Sequence, residues 1–277
     1  MRPHTSTFCV NIYDLDAYGE LRPSAALRYM QQAASDASAA VGFDMEWYER
    51  NATLWVIRRT IIDYVAPAFY RDALEVRTWV ADMRRVRSQR DYELWRPRDQ
   101  TQVARASTDW VYVDLTRGAP ARPPEEMRQR LLSDVGAQPR PPRAAQPVPA
   151  HAQRLSRRVE LADLDSVAHV NNAHYAVYVE QAVYDALAAR GWRVDPSLRG
   201  ARLRVQRHDL EYFAEAQYDD QLDAAVWCDA DRDGPGFTTQ CTLKRGATRI
   251  LHAASRWGWS ADEPPATLHA AVAALSA

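Results

Sequence analysis

Apolar residues recur at helical spacing in two stretches of the chain and alternate with polar residues through most of the remainder. The first stretch places five apolar side chains three or four positions apart: Leu27, Met30, Ala34, Ala37 and Val41. This spacing predicts a helix over 24–41, and a second apolar run predicts another over 172–190. Each helix would have about five turns, which is long enough to form a core element.

Alternating stretches rich in β-branched and aromatic residues follow each predicted helix, and they predict β-strands. The first half contains LWVIRRTIIDYV, LEVRTWVADMR, RDYELWRP and ARASTDWVYVDL. The second half contains RLRVQRHDLEYF, QLDAAVWCDADR, FTTQCTLKR and RILHAASRWGWS, with DRDGPG as a predicted turn. One helix followed by an antiparallel sheet, given twice, is an α+β pattern, and a sheet wrapped around one long helix is its simplest packing.

The two halves also repeat each other in sequence. Aligning IIDYVAPAFYRDALEVRTWV with DLEYFAEAQYDDQLDAAVWC pairs Tyr64 with Tyr212 and Trp79 with Trp227, at a constant separation of 148 residues. Upstream, the segment at Asp14 aligns with the segment at Asp163 at a separation of 149, so one residue of slippage divides the blocks. A shared separation over two blocks indicates an internal duplication.

A proline-rich segment divides the two halves. Residues 118–153 contain eight of the sixteen prolines, a density that disfavours helices and strand pairing apart from a short helix at EEMRQRLL. We therefore predict an N-terminal domain at 1–117, a linker at 118–153 and a C-terminal domain at 154–277.

Composition and charge exclude two classes of protein. The chain has 277 residues, 47% of them hydrophobic, but no apolar run long enough to cross a bilayer. The 35 basic and 36 acidic residues give a formal net charge of -1, so no overall field attracts the chain to nucleic acid. Three cysteines without paired spacing and a first segment without an apolar leader predict a cytoplasmic location and no zinc site.

Polar residues crowd into the segment DLDSVAHVNN, at 163–172, directly before the second predicted helix. A helix N-terminus carries unsatisfied N–H groups and a partial positive charge, so it attracts oxyanions and electron-rich carbonyl groups. Asp165 places a carboxylate beside this terminus, and Asn171 and Asn172 stand where helix caps are expected. The segment is therefore the strongest candidate for a chemical site.

These residues resemble the signature of hotdog-fold thioesterases, in particular the double-hotdog acyl-acyl carrier protein (acyl-ACP) thioesterases of plants and bacteria. The resemblance rests on DLDSVAHVNN, on Tyr175 and on LEYFAEAQYDD. In that family an Asp, an Asn two residues on, a His two further and a Glu from the following strand region form the catalytic set. The resemblance implies a tandem hotdog, each half a long helix wrapped by an antiparallel sheet. It also implies hydrolysis of acyl-ACP or acyl-CoA thioesters to free acid and thiol.

Position by position, the family's aspartate falls on Asp165, its histidine on His169 and its glutamate on Glu215. The asparagine position holds Val167, which departs from the plant pattern. Hotdog thioesterases of the 4-hydroxybenzoyl-CoA type resemble this chain at Asp165 and use no asparagine there. The resemblance therefore still implies that Asp165 is the centre of the site.

Only the second half carries the complete set, because Glu20 and Pro67 stand in the first half where the second has His169 and Glu215. We expect one working site, with Asp165 as general base or nucleophile. Backbone N–H groups at the helix start would stabilise the oxyanion. The predicted donors are those of Val170, Asn171 and Asn172. This chemistry implies no metal or other cofactor.

The first half is expected to shape the acyl pocket. By the resemblance, Met30, Ala34 and Trp55 line this pocket and Tyr175 contacts substrate, although apolar and aromatic residues are also ordinary core material. Arginine-rich stretches such as RRVRSQR, at 84–90, are candidates to receive the acidic carrier protein or the phosphates of CoA. The sequence leaves the choice between ACP and CoA, and between monomer and homodimer, open.

Two other functions compete with hydrolysis. An (R)-specific enoyl-CoA hydratase can also be a double hotdog, but its motif resembles D-x-N-P-x-H, and the distance from Asp165 to His169 and the absence of a preceding proline fit it poorly. A non-catalytic acyl-thioester-binding protein is the alternative from another class. Val167 favours that alternative, while Asp165 and Glu215 favour catalysis. His174 and His252 show no partner pattern and are assigned no role.

Overall fold

A computed structural model describes residues 2–142, 147–195, 197, 202–229, 236–260 and 264–276 of the protein. The chain forms two compact units, Met1–Pro141 and Pro142–Ala277, and the boundary falls inside the proline-rich segment. Each unit has one long helix and an antiparallel sheet. The predicted DRDGPG turn lies, except for Gly236, outside the described residues.

The first unit contains six strands: β1 (His4–Cys9), β2 (Thr53–Tyr64), β3 (Ala73–Arg84), β4 (Arg87–Arg96), β5 (Thr101–Asp114) and β6 (Ala119–Pro120). Its helices are α1 (Pro23–Ala39), α2 (Met45–Arg50) and α3 (Glu125–Leu131). The strands pair antiparallel in the order β1-β3-β4-β5-β2, and β6 pairs with β5. This order places β4 near the middle of the unit's sheet.

The second unit contains β7 (Gln153–Arg158), β8 (Leu203–Tyr212), β9 (Gln221–Cys228), β10 (Gly236–Arg245) and β11 (Thr248–Trp259). Its helices are α4 (His174–Ala188) and α5 (Ala266–Ser276). The strands pair antiparallel in the order β7-β9-β10-β11-β8, which repeats the order of the first unit. None of the helices within the described residues has both the length and the apolar character needed to cross a bilayer.

The duplication recurs in the hydrogen bonds that close the loops. Leu21 donates its N–H to the carbonyl of Ala68 at 2.8 Å, and Val170 donates to Ala216 at 2.9 Å. The two donors, Leu21 and Val170, are 149 residues apart, and the two acceptors, Ala68 and Ala216, are 148 residues apart, as in the sequence alignment. The loop before each long helix is therefore bound to the same point of the connection between the second and third strands of its unit.

The long helices bury the predicted stripe. Leu27, Met30, Ala34 and Ala37 are buried on α1, which begins at Pro23, a residue suited to the first helical position. The second long helix begins at His174, two residues later than predicted. The reason is local, because the Asn171 carbonyl accepts from His174 N–H at 2.8 Å and its side chain accepts from Ala173 N–H at 2.9 Å.

The first part of the predicted linker is folded onto the first unit. The strand β6 and the helix α3 lie in it, and Met127 and Leu131 on α3 are buried in a cluster with Phe43, Val80, Met83 and Tyr112. The two apolar residues stand four positions apart, so one face of this short helix can be buried. The segment thus contributes core to the first unit before the chain passes to the second.

Candidate active site

The predicted site begins with a tight loop between Asp163 and Val170. Leu164 and Val170 pair antiparallel at the two ends of the loop. Within it, Asp165 N–H donates to the His169 carbonyl at 3.0 Å, and Ala168 N–H donates back to the Asp165 carbonyl at 3.0 Å. The Asp165 Oδ1 accepts from Val167 N–H at 3.1 Å. These bonds fix the carboxylate at the mouth of the loop.

The three predicted catalytic side chains lie together. His169 Nδ1 is 3.6 Å from Asp165 Oδ1, and His169 Nε2 is 3.9 Å from Glu215 Oε1, so the imidazole lies between two carboxylates. The Asp165 and His169 side chains are 19% and 23% exposed, whereas Glu215 is 59% exposed. Both distances exceed a hydrogen bond, as is common in sites without substrate. The arrangement can hold a water or a thioester carbonyl beside an acid and a proton carrier.

Glu215 reaches the site because the next residue is anchored to the loop. The Ala216 carbonyl accepts from Val170 N–H, and Ala216 N–H donates to the Tyr175 hydroxyl at 3.2 Å. Tyr175 is buried, and its ring packs edge-to-face against Tyr178 and Tyr212. Tyr175 therefore positions the Glu215 segment, and its predicted contact with substrate stays a prediction.

Two of the three predicted oxyanion donors are engaged elsewhere. Val170 N–H is bound to Ala216, and Asn171 N–H donates to the Asp163 carbonyl at 3.0 Å. These two N–H groups are not available to a substrate oxygen, which corrects the prediction. Among the described residues, Asn172 N–H has no hydrogen-bond acceptor. Since the Asn171 carbonyl of the same trans peptide faces His174 N–H, the Asn172 N–H points the opposite way, out of the turn.

The first aspartate of the motif has a structural role that the sequence analysis missed. Asp163 is buried, and its carboxylate contacts His174 Nε2 at 2.7 Å, Tyr178 Oη at 2.5 Å and Glu160 N at 2.8 Å. Burial, followed by the bond to Asp163, raises the pKa of Tyr178. His174, assigned no role from sequence, thus helps to hold the loop on α4. The spacing of four between His174 and Tyr178 was the available signal.

The first unit repeats the contact between a buried aspartate and a tyrosine of the long helix, but not the catalytic residues. Asp14 is buried and accepts from Tyr29 at 2.6 Å and from Arg28 at 3.0 Å. Asp16, the counterpart of Asp165, accepts from the N–H groups of Tyr18 and Glu20, both at 2.9 Å. Because the sequence supplies Glu20 and Pro67 in place of a histidine and a glutamate, this loop gathers no equivalent triad.

The backbone at Ala168 leads to a stability prediction. Ala168 has φ of 63°, a left-handed conformation, where the first unit has Gly19 at 81°. A Cβ at Gly19 would meet no atom within 4 Å, so the difference between the two residues is conformational. Ala168→Gly is expected to raise the free energy of unfolding by about 1 kcal/mol, and Gly19→Ala to lower it by a similar amount. Denaturant unfolding measures both, and a loss of stability in Ala168→Gly would contradict the argument.

The predicted acyl-pocket residues of the first half lie in the interior of the first unit. Met30 and Ala34 are buried on α1, and Trp55 on β2 is partly buried, with its ring 5.0 Å from that of Tyr112. Their contact with an acyl chain stays a prediction. Within the described part of the chain, no cluster of three or more His, Cys, Asp or Glu side chains is arranged to hold a metal ion.

The arginine-rich stretch 84–90 divides into two parts. Arg84, Arg85 and Arg87 are exposed around the turn between β3 and β4. Arg90 is buried, so it cannot belong to a surface for a carrier protein or for CoA, and that part of the prediction is wrong. Position along β4 explains the difference, because Arg87 begins the strand at the turn, whereas Arg90 lies within a stretch that is buried on both faces, Ser88 to Tyr92.

Comparison with known proteins finds a family match over the first unit and distant relatives over both units. Residues 2–131 match the family described as acyl-ACP thioesterase N-terminal domain. The chain is 22% identical over 266 residues to oleoyl-acyl carrier protein thioesterase 1, chloroplastic, of Arabidopsis thaliana, covering 88% of this chain and 69% of that protein. The oleoyl-acyl carrier protein thioesterase of Coriandrum sativum is 22% identical over 246 residues, covering 82% of this chain and 63% of that protein.

Solved structures share the fold across both units. A candidate oleoyl thioesterase from Lactobacillus plantarum superposes with a TM-score of 0.81 at 17% identity, covering 95% of this chain and 97% of that one. The 12:0-ACP thioesterase of Umbellularia californica gives a TM-score of 0.74 at 19% identity, covering 93% of this chain and 94% of that one. The predicted α+β double-hotdog fold is thereby confirmed. The chain is a thioester hydrolase, and its residues 2–131 match the N-terminal domain of acyl-ACP thioesterases.

Proposed function

We propose that this protein hydrolyses the thioester of an acyl-ACP to a free acid and the carrier thiol, at a single site in the second unit. The observation that carries the proposal is the gathering of Asp165, His169 and Glu215 around one loop. The equivalent loop of the first unit lacks the histidine and the glutamate. The match of residues 2–131 to an acyl-ACP family, and the names of the relatives, support the carrier protein as the thiol.

The residues present support two routes that share the same outcome. Asp165 either takes a proton from a water that attacks the thioester carbon, or attacks that carbon itself to give an anhydride that water then cleaves. In both routes a bond from oxygen to the acyl carbon forms and the C–S bond breaks. The departing thiolate takes up one proton. His169, placed between Asp165 and Glu215, is the group suited to carry it.

Asn172 N–H is the donor that we propose for the oxyanion. The hydroxyl of Tyr212 donates to the Asn172 carbonyl at 3.1 Å and so holds the next peptide in place. The position is one residue before the N-cap of α4, Ala173, where the partial positive charge of the helix favours a negative oxygen. A fixed N–H aimed at developing charge stabilises the transition state more than the ground state.

The test of the proposed function is thiol release from one acyl group presented on ACP and on CoA. We expect turnover of both, with kcat/KM higher for acyl-ACP. Release from acyl-CoA alone would overturn the assignment of the carrier protein. Binding of acyl-ACP without any release by the folded protein would favour the acyl-binding alternative.

A cytoplasmic location stays a proposal, and fractionation of the source cells would test it.

Val167 gives a second test of the same loop. Its side chain is 51% exposed at the position where the family has asparagine. A carboxamide there can hydrogen-bond a water or a thioester oxygen, and such a bond is worth about 1 kcal/mol, or roughly fivefold in rate. We expect Val167→Asn to raise kcat/KM by this amount and Val167→Ala to leave it unchanged. Equal rates in all three proteins would show that this position takes no part in the chemistry.

A further inference from the structure

A buried positive charge lies inside the first unit. Arg90, on β4, is only 6% exposed. Within the described residues its guanidinium makes one hydrogen bond, a long one of 3.5 Å from Nη1 to Thr78 Oγ1, and no carboxylate lies within ion-pair distance. Burial lowers the pKa of Arg90, yet an arginine stays protonated in proteins. Arg90 is therefore a largely buried cation with no carboxylate partner in the described part of the chain.

A second buried arginine on the same strand, Arg96, has charged and polar partners within the chain. Arg96 is also buried, but it donates to Asp99 at 3.0 Å, to Asp72 at 3.2 Å and to the Pro67 carbonyl at 3.0 Å. Buried charges are normally paired in this way, because an unpaired one loses its hydration without compensation. Arg90 differs from Arg96 in that no carboxylate pairs with it among the described residues.

A second buried polar group, the Tyr48 hydroxyl, belongs to a residue that packs against the cluster containing Val80, the cross-strand partner of Arg90. Its oxygen makes no hydrogen bond of normal geometry among the described residues, with the Ser38 and Trp55 side chains near it. Burial raises the pKa of Tyr48, and the nearby Arg90 guanidinium opposes that rise. Buried polar groups usually have hydrogen-bond partners, so Arg90 and Tyr48 around one buried cluster are candidates to bind a ligand.

The surroundings of this pair are apolar and aromatic. Val80, the cross-strand partner of Arg90, belongs to the buried cluster with Phe43 and Tyr112. Trp55, one of the predicted acyl-pocket residues, packs against the same cluster, as does Tyr48 itself. A ligand that satisfies this environment has an aliphatic chain and ends in a group with negatively charged oxygens.

We propose that Arg90 and Tyr48 form a carboxylate-binding site inside the first unit, which takes the carboxylate of a long-chain aliphatic acid. A planar carboxylate can accept two bonds from the guanidinium, and its charge compensates the buried cation. The carboxylate has two possible sources. It is either the far end of an ω-carboxyacyl thioester, which rests on the proposed function, or the head group of a free fatty acid, which does not.

Direct binding tests the site without depending on hydrolysis. Intrinsic tryptophan fluorescence, to which Trp55 near the proposed site contributes, is followed while the protein is titrated with hexadecanedioic acid, hexadecanoic acid and hexadecanol. We expect wild type to bind at least one of the acids at least tenfold more tightly than the alcohol. Arg90→Met is expected to lose this preference while its affinity for the alcohol stays the same. Arg105→Met, which changes an exposed arginine on the adjacent strand β5, is the matched control and should behave as wild type.

The stability of the variants separates binding from a structural role. Because methionine removes an uncompensated buried charge, Arg90→Met is expected to melt no lower than wild type in the absence of ligand. Tyr48→Phe should lower the affinity for the acids about fivefold, by one hydrogen bond. Equal affinities of wild type for acids and alcohol, or an unchanged preference in Arg90→Met, would overturn the proposal.

The source of the carboxylate is decided by turnover. Preferential hydrolysis of an ω-carboxyacyl thioester over its methyl-ended counterpart, lost in Arg90→Met, would identify the far end of the substrate. Arg90-dependent binding of hexadecanoic acid without such a preference would identify a free fatty acid. If no thioester were hydrolysed at all, the proposed function would fail while the titrations still decided the site.

Discussion

Asp165→Asn is expected to lower kcat/KM for thioester hydrolysis by about 10²- to 10⁴-fold, the range lost when a general base is removed. The amide keeps the size of the side chain and can still accept from Val167 N–H through its oxygen, so the loop should fold as before. What is lost is the negative charge next to His169, and with it both the base and the nucleophile. Thiol release with the substrate preferred by wild type gives the ratio.

The matched control is Asp16→Asn, because Asp16 occupies the same place in the loop of the first unit. It should retain nearly all turnover and an unchanged circular dichroism spectrum. Similar losses from the two substitutions would argue against a single site in the second unit. Full activity in Asp165→Asn would remove Asp165 from the mechanism and leave Glu215 as the carboxylate to test.

Asp163→Ala is expected to lower the free energy of unfolding by about 3 kcal/mol. The substitution removes the acceptor for Tyr178, for His174 and for Glu160 N–H, and leaves a buried hydroxyl without a partner. Tyr178→Phe removes a single bond and should cost about 1 kcal/mol. Chemical denaturation, followed by fluorescence and circular dichroism, gives both values.

Asp14→Ala in the first unit provides the comparison for this prediction. Asp14 binds Tyr29 as Asp163 binds Tyr178, so the stability loss should be of the same size while the catalytic loop is left untouched. A loss below 1 kcal/mol in both variants would mean that these aspartates are not the anchors inferred from the structure. A loss confined to Asp163→Ala would assign the effect to His174.

Much of the fold follows from periodicity. The stripe from Leu27 to Ala37 predicted α1 because a 3.6-residue repeat with one apolar face has few alternatives. The alternating stretches predicted the strands for the same kind of reason. The start of α4 could not be predicted in this way, because it depends on which backbone groups Asn171 satisfies.

The candidate site was predictable in its residue types and less so in its contacts. Asp165 and His169 are neighbours in one loop, and the resemblance pointed to Glu215, but the contact between Val170 and Ala216 that brings Glu215 close is tertiary. The engagement of the Val170 and Asn171 N–H groups likewise appears only in three dimensions. Arg90 was misplaced because a run of arginines suggests an exposed surface, whereas Arg90 lies in a part of β4 that is buried on both faces.

The two copies of the loop differ in which of their parts they share. The anchor formed by an aspartate and a tyrosine is present in both copies, as Asp14 with Tyr29 and as Asp163 with Tyr178, whereas histidine and glutamate occur at the site in only one. The copy without them has kept the parts that fold and lost or never acquired the parts that react. The first loop already has the backbone of the site, so an engineered second active site would begin with a histidine at Glu20 and a glutamate at Pro67.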